Sequence, residues 1–557
     1  MLNESMHHTT MTHFNAILLL LLTCREGTGF IGNQKIVLPN KLQWSSKEKI
    51  VQRTNDYSNV YHPSFHTFLQ SSNQAVSGYS RIAEFEDGPK ISCEHFGTCP
   101  GCITDEDVRR IPVISSAKRY FNSPSLRLQR ADKGEDDDFF KVVVPSSVRG
   151  WRTQAKLAVA KKSAWGRDGC IFGLYERGTH NVLTIPSCEV HHPQINRAIE
   201  ILTKATMNVR TSAYDELTGS GLLRYVQCQV ERVTGKVCLT LVMNAEKYKD
   251  TQPELSRLTS ELKKLDSNLW HSIWLHCNNS NGNAIFARGA ERWSRLDGPE
   301  FVREALCTTD FSSDRKDGLL YFTPATFRQG NLDGFDMIAR DVAEAVPTNA
   351  AVCELYGGVG TLGLTALSYA HYNHPLFQGN EEENFKYDGL RWLRCSDENP
   401  ANLNCFNRSA NSMPSEVTGR PTYRPTKEKL KERKASGKRR KKIKSTQFQK
   451  IRNEGKVSYT VASATKALLE GQALGAECLI VDPPRKGLDD EVMSQLCKPF
   501  NPKQPFVESF DYLYESTWNT NFANDVKTLI YVSCGFDALA RDCDKLLSGN
   551  AGWTLER

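Results

Sequence analysis

Long apolar runs are scarce in this chain of 557 residues. The stretch NAILLLLLTC (15–24) is too short to cross a bilayer, which takes about 20 apolar residues. Its length suits the core of a signal peptide, with MLNESMHHTTMTH before it and the small residues GTG (27–29) after it. Acidic residues are sparse from there to Asp56, whereas Lys, Arg, Ser and Asn are frequent. These features predict a leader directing the chain to an organelle, plastid or mitochondrion, with the cytoplasm as the alternative. They predict no stable membrane association. A paired-cysteine framework is missing too. The 17 cysteines are odd in number and scattered over apolar strands, which excludes a disulfide-stapled secreted scaffold and predicts reduced thiols.

Acidic charge is nearly absent from one further segment. Residues 424–452 carry 14 Lys/Arg against two Glu, so the segment is +12 and the rest of the chain −5. Such a segment is a solvated insertion, an RNA tether, or a nuclear-localisation signal through KRRKKIK (438–444). What is present is otherwise ordinary for a globular protein: 39% hydrophobic and 24% charged residues. At roughly 150 residues per domain, the length suggests three or four domains.

Residues 1–90 read as a leader with weak structure. Residues 91–330 read as a compact cysteine-bearing opening, CEHFGTCPGC (93–102), followed by an α+β central domain. Its strands include QAKLAVA and SIWLHCN, helices cover 192–206 and 253–266, and a β-hairpin over 222–244 turns at Thr234-Gly235. Residues 331–557 alternate strand and helix. The strands AVCELYG (351–357), LRCSDE (393–398), VSYTVA (457–462), CLIVDPP (478–484) and TLIYVSC (528–534) are nearly continuous apolar runs, which predicts a parallel, doubly wound α/β sheet. Two polar insertions interrupt it, at 371–389 and at 412–455, and the second is expected to be disordered. A monomer is expected.

Three motifs carry chemistry. ELYGGVGTLGL (354–364) follows the first of these strands and opens a helix, with glycines that let backbone N–H groups approach a ligand. The spacing is not that of a dinucleotide loop. With Glu354 before it, and Asp397 or Glu398 ending the next strand, it suits S-adenosylmethionine. DPPRKG (482–487) ends the fourth strand on the edge where open α/β sheets bind ligands. There Asp482 is held on a rigid turn, and Arg485 and Lys486 suit phosphate contacts. YVSCGFDALARD (531–542) places Cys534 between a strand and a helix N-terminus, whose dipole is expected to favour thiolate. A thiolate beside a methyl donor has one evident use. It adds to C6 of a pyrimidine and makes C5 nucleophilic enough to take the methyl group, after which a base removes the C5 proton.

Together FRQGN (327–331), ELYGGVGTLGL, DPPRKGL and YVSCGFDALARD resemble the RNA (uracil-C5)-methyltransferase family, and the matches run in order over roughly 93–557. VRGWRTQAKLAVA (148–160) and FGLYERGTHNVLTIPSC (172–188) look like its central domain. The resemblance implies a Rossmann-like, S-adenosylmethionine-dependent enzyme that makes 5-methyluridine in structured RNA, tRNA or rRNA. It implies Cys534 as nucleophile, and Gln329, Tyr356, Gly358, Thr361, Glu398 and Asp482 around the cofactor and the target base.

Cys93, Cys99 and Cys102 are spaced C-x5-C-x2-C, and Cys188 follows. Spacing alone allows zinc or an iron–sulfur cluster. The resemblance, to the iron–sulfur-containing branch, implies a [4Fe–4S] cluster. His191 and His192 nearby are read as surface or core residues. Three departures are expected to matter. The family's His-x-Glu segment, whose Glu takes the C5 proton, has no counterpart before the sequence ends at GNAGWTLER (549–557), and Glu556 stands too early for that role. No N-terminal oligonucleotide-binding barrel is recognisable before Cys93. VASAT (461–465) lacks the acidic or amide residue expected near the adenine. The alternative function is a catalytically impaired homologue that binds or folds RNA.

Overall fold

The structure, a computed structural model, describes residues 18–24, 90–102, 111–130, 142–143, 147–164, 167–280, 282, 284–306, 318–372, 389–420, 455–498, 526–549 and 551–556. The basic segment 424–452 and most of the expected leader lie outside them. Among the described residues 16 strands form three sheets. In chain order β1 (Leu18–Cys24) comes first. A central sheet follows, with β2 (Gln154–Ala164), β3 (Arg167–Tyr175), β4 (Val182–Thr184), β5 (Leu223–Glu231), β6 (Lys236–Met243), β7 (Trp270–Cys277) and β8 (Trp293–Asp297). A short ribbon of β9 (Val302–Ala305) and β10 (Leu319–Phe322) leads to β11 (Ala351–Leu355), β12 (Trp392–Asp397), β13 (Val457–Val461), β14 (Cys478–Val481), β15 (Thr528–Ser533) and β16 (Trp553–Leu555).

The central sheet has the order β4-β3-β2-β5-β6-β7-β8 and is antiparallel except between β6 and β7. The hairpin β5–β6 turns where the sequence places it, with Gly235 in the left-handed region at φ 68°. Helices Pro193–Val209 and Glu254–Leu265 bury Ile195, Leu202, Leu258 and Leu262 against Leu157, Val226, Leu239 and Leu241 of the sheet.

The third sheet has the order β13-β12-β11-β14-β15-β1-β16. Its first five strands are parallel, as their unbroken apolar runs predict, because helices cover both faces. The pleat sends alternate residues to opposite cores. Ile480 and Ile530 pack with Val352 and Leu393, while Leu479 and Leu529 pack with Leu355 and Leu546. Strand order reverses between β11 and β14, which opens a crevice at the carboxyl ends of these strands.

Two findings differ from the sequence reading. Leu18–Cys24, read as the core of a leader, is a strand of this sheet, antiparallel to both β15 and β16. The second insertion's first residues, 412–420, are ordered. Ser412 Oγ donates to Leu319 O and accepts from Leu319 N, and a helical turn follows at Ser415–Thr418. Among the described residues no helix is long and apolar enough to cross a membrane.

Candidate active site

The glycine loop joins β11 to the helix Thr361–Tyr372 at the crevice. Gly360, at φ 79°, is required sterically, since a Cβ there would lie 2.6 Å from the Phe406 ring. Gly358, at φ 54°, faces open space within 4 Å. Its N–H donates to Asp397 Oδ2 at 3.1 Å. Asp397 Oδ1 accepts from the Asn399 N–H and from Asn402 Nδ2, each at 2.9 Å. Asp397 is thus spent on holding the loop, and Glu398, exposed one residue on, is the carboxylate offered outward. Thr361 opens the helix and is half-buried.

Glu354 is engaged with the glycine loop itself. It is buried, and its Oε2 accepts from the Gly363 N–H at 3.2 Å and from Cys395 Sγ at 2.9 Å. Burial pushes its carboxyl up to about 7. It braces the glycine loop from beneath. Tyr356, at φ 56°, occupies a conformation uncommon for a non-glycine residue. Its hydroxyl donates to Asp489 Oδ2 at 3.0 Å, tying the glycine loop to the loop after β14.

Gln329 lies in the segment between β10 and the helix Leu332–Ala345. Its neighbour Arg328 is buried and donates to Val230 O and Thr153 O, each at 2.9 Å, and to the Glu304 carboxylate. Thr153 in turn donates through its N–H to Gly330 O at 2.8 Å. Asn399 Nδ2 donates to Ala325 O at 3.0 Å, which brings this segment to the end of β12. Ser463, in the VASAT stretch, accepts from the Lys466 N–H as a helix cap.

Asp482 and Cys534 follow the neighbouring parallel strands β14 and β15. Burial alone raises the Asp482 carboxyl to about 7. The Cys534 thiol is raised above its ordinary value, first by burial and then by the Asp482 charge. The charge and hydrogen bonding of Arg485 oppose this. Burial and the Asp482 charge thus oppose the pull toward thiolate expected from the helix dipole. The loop after β14 packs on the Cys534 turn, where a Cβ at Gly535 would lie 3.2 Å from Arg485 O. Asp542 fixes this contact. Its buried carboxylate accepts from the Leu488 N–H and the Tyr531 hydroxyl, each at 2.8 Å. Tyr531 and Asp542 stand inside the quoted motif, but only their meeting across a strand and a helix turn shows their role.

The four clustered cysteines meet. Cys93, Cys99, Cys102 and Cys188 line one cavity of about 390 Å³, with Arg152 and His191 among its other walls. Burial raises the thiols of Cys99, Cys102 and Cys188, and neighbouring sulfurs add to this; Cys102 reaches about 11. Among the described residues no group of three His, Cys, Asp or Glu side chains is placed to hold a metal ion. His191 is buried, Nδ1 lies 3.3 Å from Asn196 Oδ1, and burial lowers its pKa to about 3. His192 accepts from the Gln194 N–H as a helix cap.

No protein-family model matches the chain. An uncharacterized RNA methyltransferase of Protochlamydia amoebophila is 27% identical over 84% of this chain and 92% of its own length. A second, from Geobacter sulfurreducens, is 25% identical over 51% of this chain and 53% of its own. Among solved structures, the Pyrococcus abyssi tRNA (uracil-54, C5)-methyltransferase in complex with S-adenosyl-L-homocysteine is 19% identical, with a TM-score of 0.44. It covers 77% of this chain and 76% of its own. Over 84% of its length, the chain is similar in sequence to a protein named an RNA methyltransferase.

Proposed function

We propose that the protein transfers a methyl group from S-adenosylmethionine to C5 of uridine in structured RNA, tRNA or rRNA, through a covalent Cys534–C6 adduct. One observation carries this reading: Cys534 and Asp482 follow adjacent parallel strands, at the carboxyl edge of the sheet from which the glycine loop also springs. The Cys534 thiolate adds to C6, and the electron pair of the C5–C6 bond moves toward the O4 carbonyl. C5 then attacks the sulfonium methyl group, and the cofactor leaves as the neutral thioether. Loss of the C5 proton to a base expels the thiolate and restores the ring. The target base leaves its stack to reach the thiol.

Gln329, Tyr356, Gly358, Thr361 and Glu398 bind the cofactor. Asp482, poised near neutrality, hydrogen-bonds the uracil edge. Arg485 and Lys486 take backbone phosphates. Incubating Cys534→Ala with labelled donor and uridine-containing RNA tests the proposal. Undiminished methyl transfer, or transfer without release of the C5 hydrogen, would end it.

The resemblance to the iron–sulfur-containing branch assigns Cys93, Cys99, Cys102 and Cys188 to a [4Fe–4S] cluster, and we propose that assignment. They share one cavity, and the buried Arg152 beside them offsets thiolate charge. A zinc ion would need all four sulfurs within about 2.3 Å of one point, whereas a cubane gives each sulfur its own iron. When bound, the cluster supplies a cross-link between 93–102 and Cys188. Loss of iron in Cys188→Ser, read by its visible absorbance, checks this assignment.

A further inference from the structure

The third sheet is completed by residues from the opposite end of the chain. β1 lies between β15 and β16 and pairs with both. On one side Leu18 faces Ser533 and Thr23 faces Thr528; on the other, Leu22 faces Leu555 and Cys24 faces Trp553. β15 and β16 are buried at every position. β16 is seated in the core, since Trp553 is 2% exposed and its Nε1 donates to Leu496 O at 2.8 Å. Yet its ladder in the sheet is made to β1. The outer edge of β15 has the same partner.

Remove β1 and two consequences follow. A row of β15 backbone N–H and C=O groups loses its partners inside a buried sheet, at about 1–3 kcal/mol for each group left unmatched. β16 loses its attachment to the sheet at the same time. The register adds a third consequence. Leu18 stands opposite Ser533, next to Cys534, so the chain enters the sheet at the catalytic edge.

We propose that residues 18–24 are a permanent strand of the methyltransferase domain, and that the working protein keeps them rather than losing them with a cleaved leader. The placement beside a catalytic cysteine rests on the function proposed above; the structural requirement does not. Proteolysis that released this strand would switch the protein off.

The test uses the full chain with a specific protease site inserted between Ser71 and Ser72. After complete cleavage, the 1–71 fragment is expected to co-elute with 72–557 under native conditions, and the thermal midpoint is expected to stay that of the uncut protein. A fragment that separates while 72–557 keeps the uncut midpoint would overturn the proposal. A fragment that separates only as the midpoint collapses supports it. A second variant, Leu20→Pro, places a proline opposite Tyr531 in the middle of the strand. It is expected to lower the midpoint by several degrees and to let the cleaved fragment dissociate. An unchanged midpoint and an unchanged complex would count against the strand. These readouts need no RNA, so they fail independently of the proposed reaction.

Discussion

Two regions of the molecule gather thiols, and they do so differently. The cavity of Cys93, Cys99, Cys102 and Cys188 sets sulfurs near one another, so that each negative charge disfavours the next. The turn at Cys534 sets one sulfur between a carboxylate, Asp482, and a guanidinium, Arg485. Burial raises thiols in both places. In the proposed reaction a mobile partner, a base or a cofactor, enters and leaves at Cys534. Only in the cavity would a permanent cation relieve the shared charge. The comparison teaches that a raised thiol says little by itself, and that the neighbouring charges distinguish the two settings.

The sharpest test of that difference is Cys534→Ala. Methyl transfer is expected to fall by on the order of 10⁴-fold or more, since the lost group makes the covalent bond. Cys534 is only half-buried, so the change in stability is expected to stay within about 1 kcal/mol. Chemical denaturation alongside a transfer assay measures both.

Arg328→Met comes next, because it touches both regions. Arg328 bonds Thr153, next to Arg152 of the cavity wall, and it fixes the segment carrying Gln329. Removing a buried guanidinium takes one of two arginines from Glu304, which keeps its 2.9 Å pair with Arg232, so the expected cost is about 1–3 kcal/mol. Cofactor affinity is expected to fall with the midpoint, which titration calorimetry and thermal melts report together. Cys188→Ser is the smaller change to the cavity. It is expected to lose most bound iron and about 1–3 kcal/mol of stability, with the Cys534 thiol still reactive toward a maleimide.

The parallel strands were legible because burial on both faces removes polar residues from them. β11, β12, β13 and β15 lie within a residue or two of where their apolar runs place them, while β14 ends three residues short, at Val481. The hairpin was legible from its turn. β1 was not: a run of leucines has no period, so it suits a signal core and a buried strand equally, and its partners lie at the far end of the chain. β3 was hidden because it mixes Arg167, Asp168 and two glycines with its apolar residues. Gly173 is there because a Cβ would meet Leu183 O at 1.8 Å, a contact no local pattern announces. At the site, residue types were legible and their duties were not. Which of Asp397 and Glu398 is spent on the glycine loop, and whether Glu354 looks into the crevice or beneath it, depend on which way each strand end is turned.

The thiol at Cys534 gives the finest test of the comparison, with effects of several-fold rather than orders of magnitude. Only thiolate reacts with iodoacetamide, so the rate at fixed pH follows the ionised fraction. Asp482 raises the Cys534 pKa and Arg485 lowers it. Asp482→Asn removes a nearby anion, so the thiol ionises more easily and alkylation at pH 8 quickens. Arg485→Met removes a cation and a hydrogen bond, and alkylation slows. In the wild type the rate climbs with pH beyond 9, since the thiol lies above its ordinary value. Cys102, near 11 without metal, has about one part in a thousand as thiolate at pH 8 and stays nearly inert under the same conditions. Opposite shifts in the two Cys534 variants, with Cys102 unmoved, would fix the carboxylate and the guanidinium as the groups that set this sulfur apart. If Asp482→Asn slows alkylation instead, the carboxylate is not a through-space influence on the thiol, and its place beside the nucleophile must be abandoned.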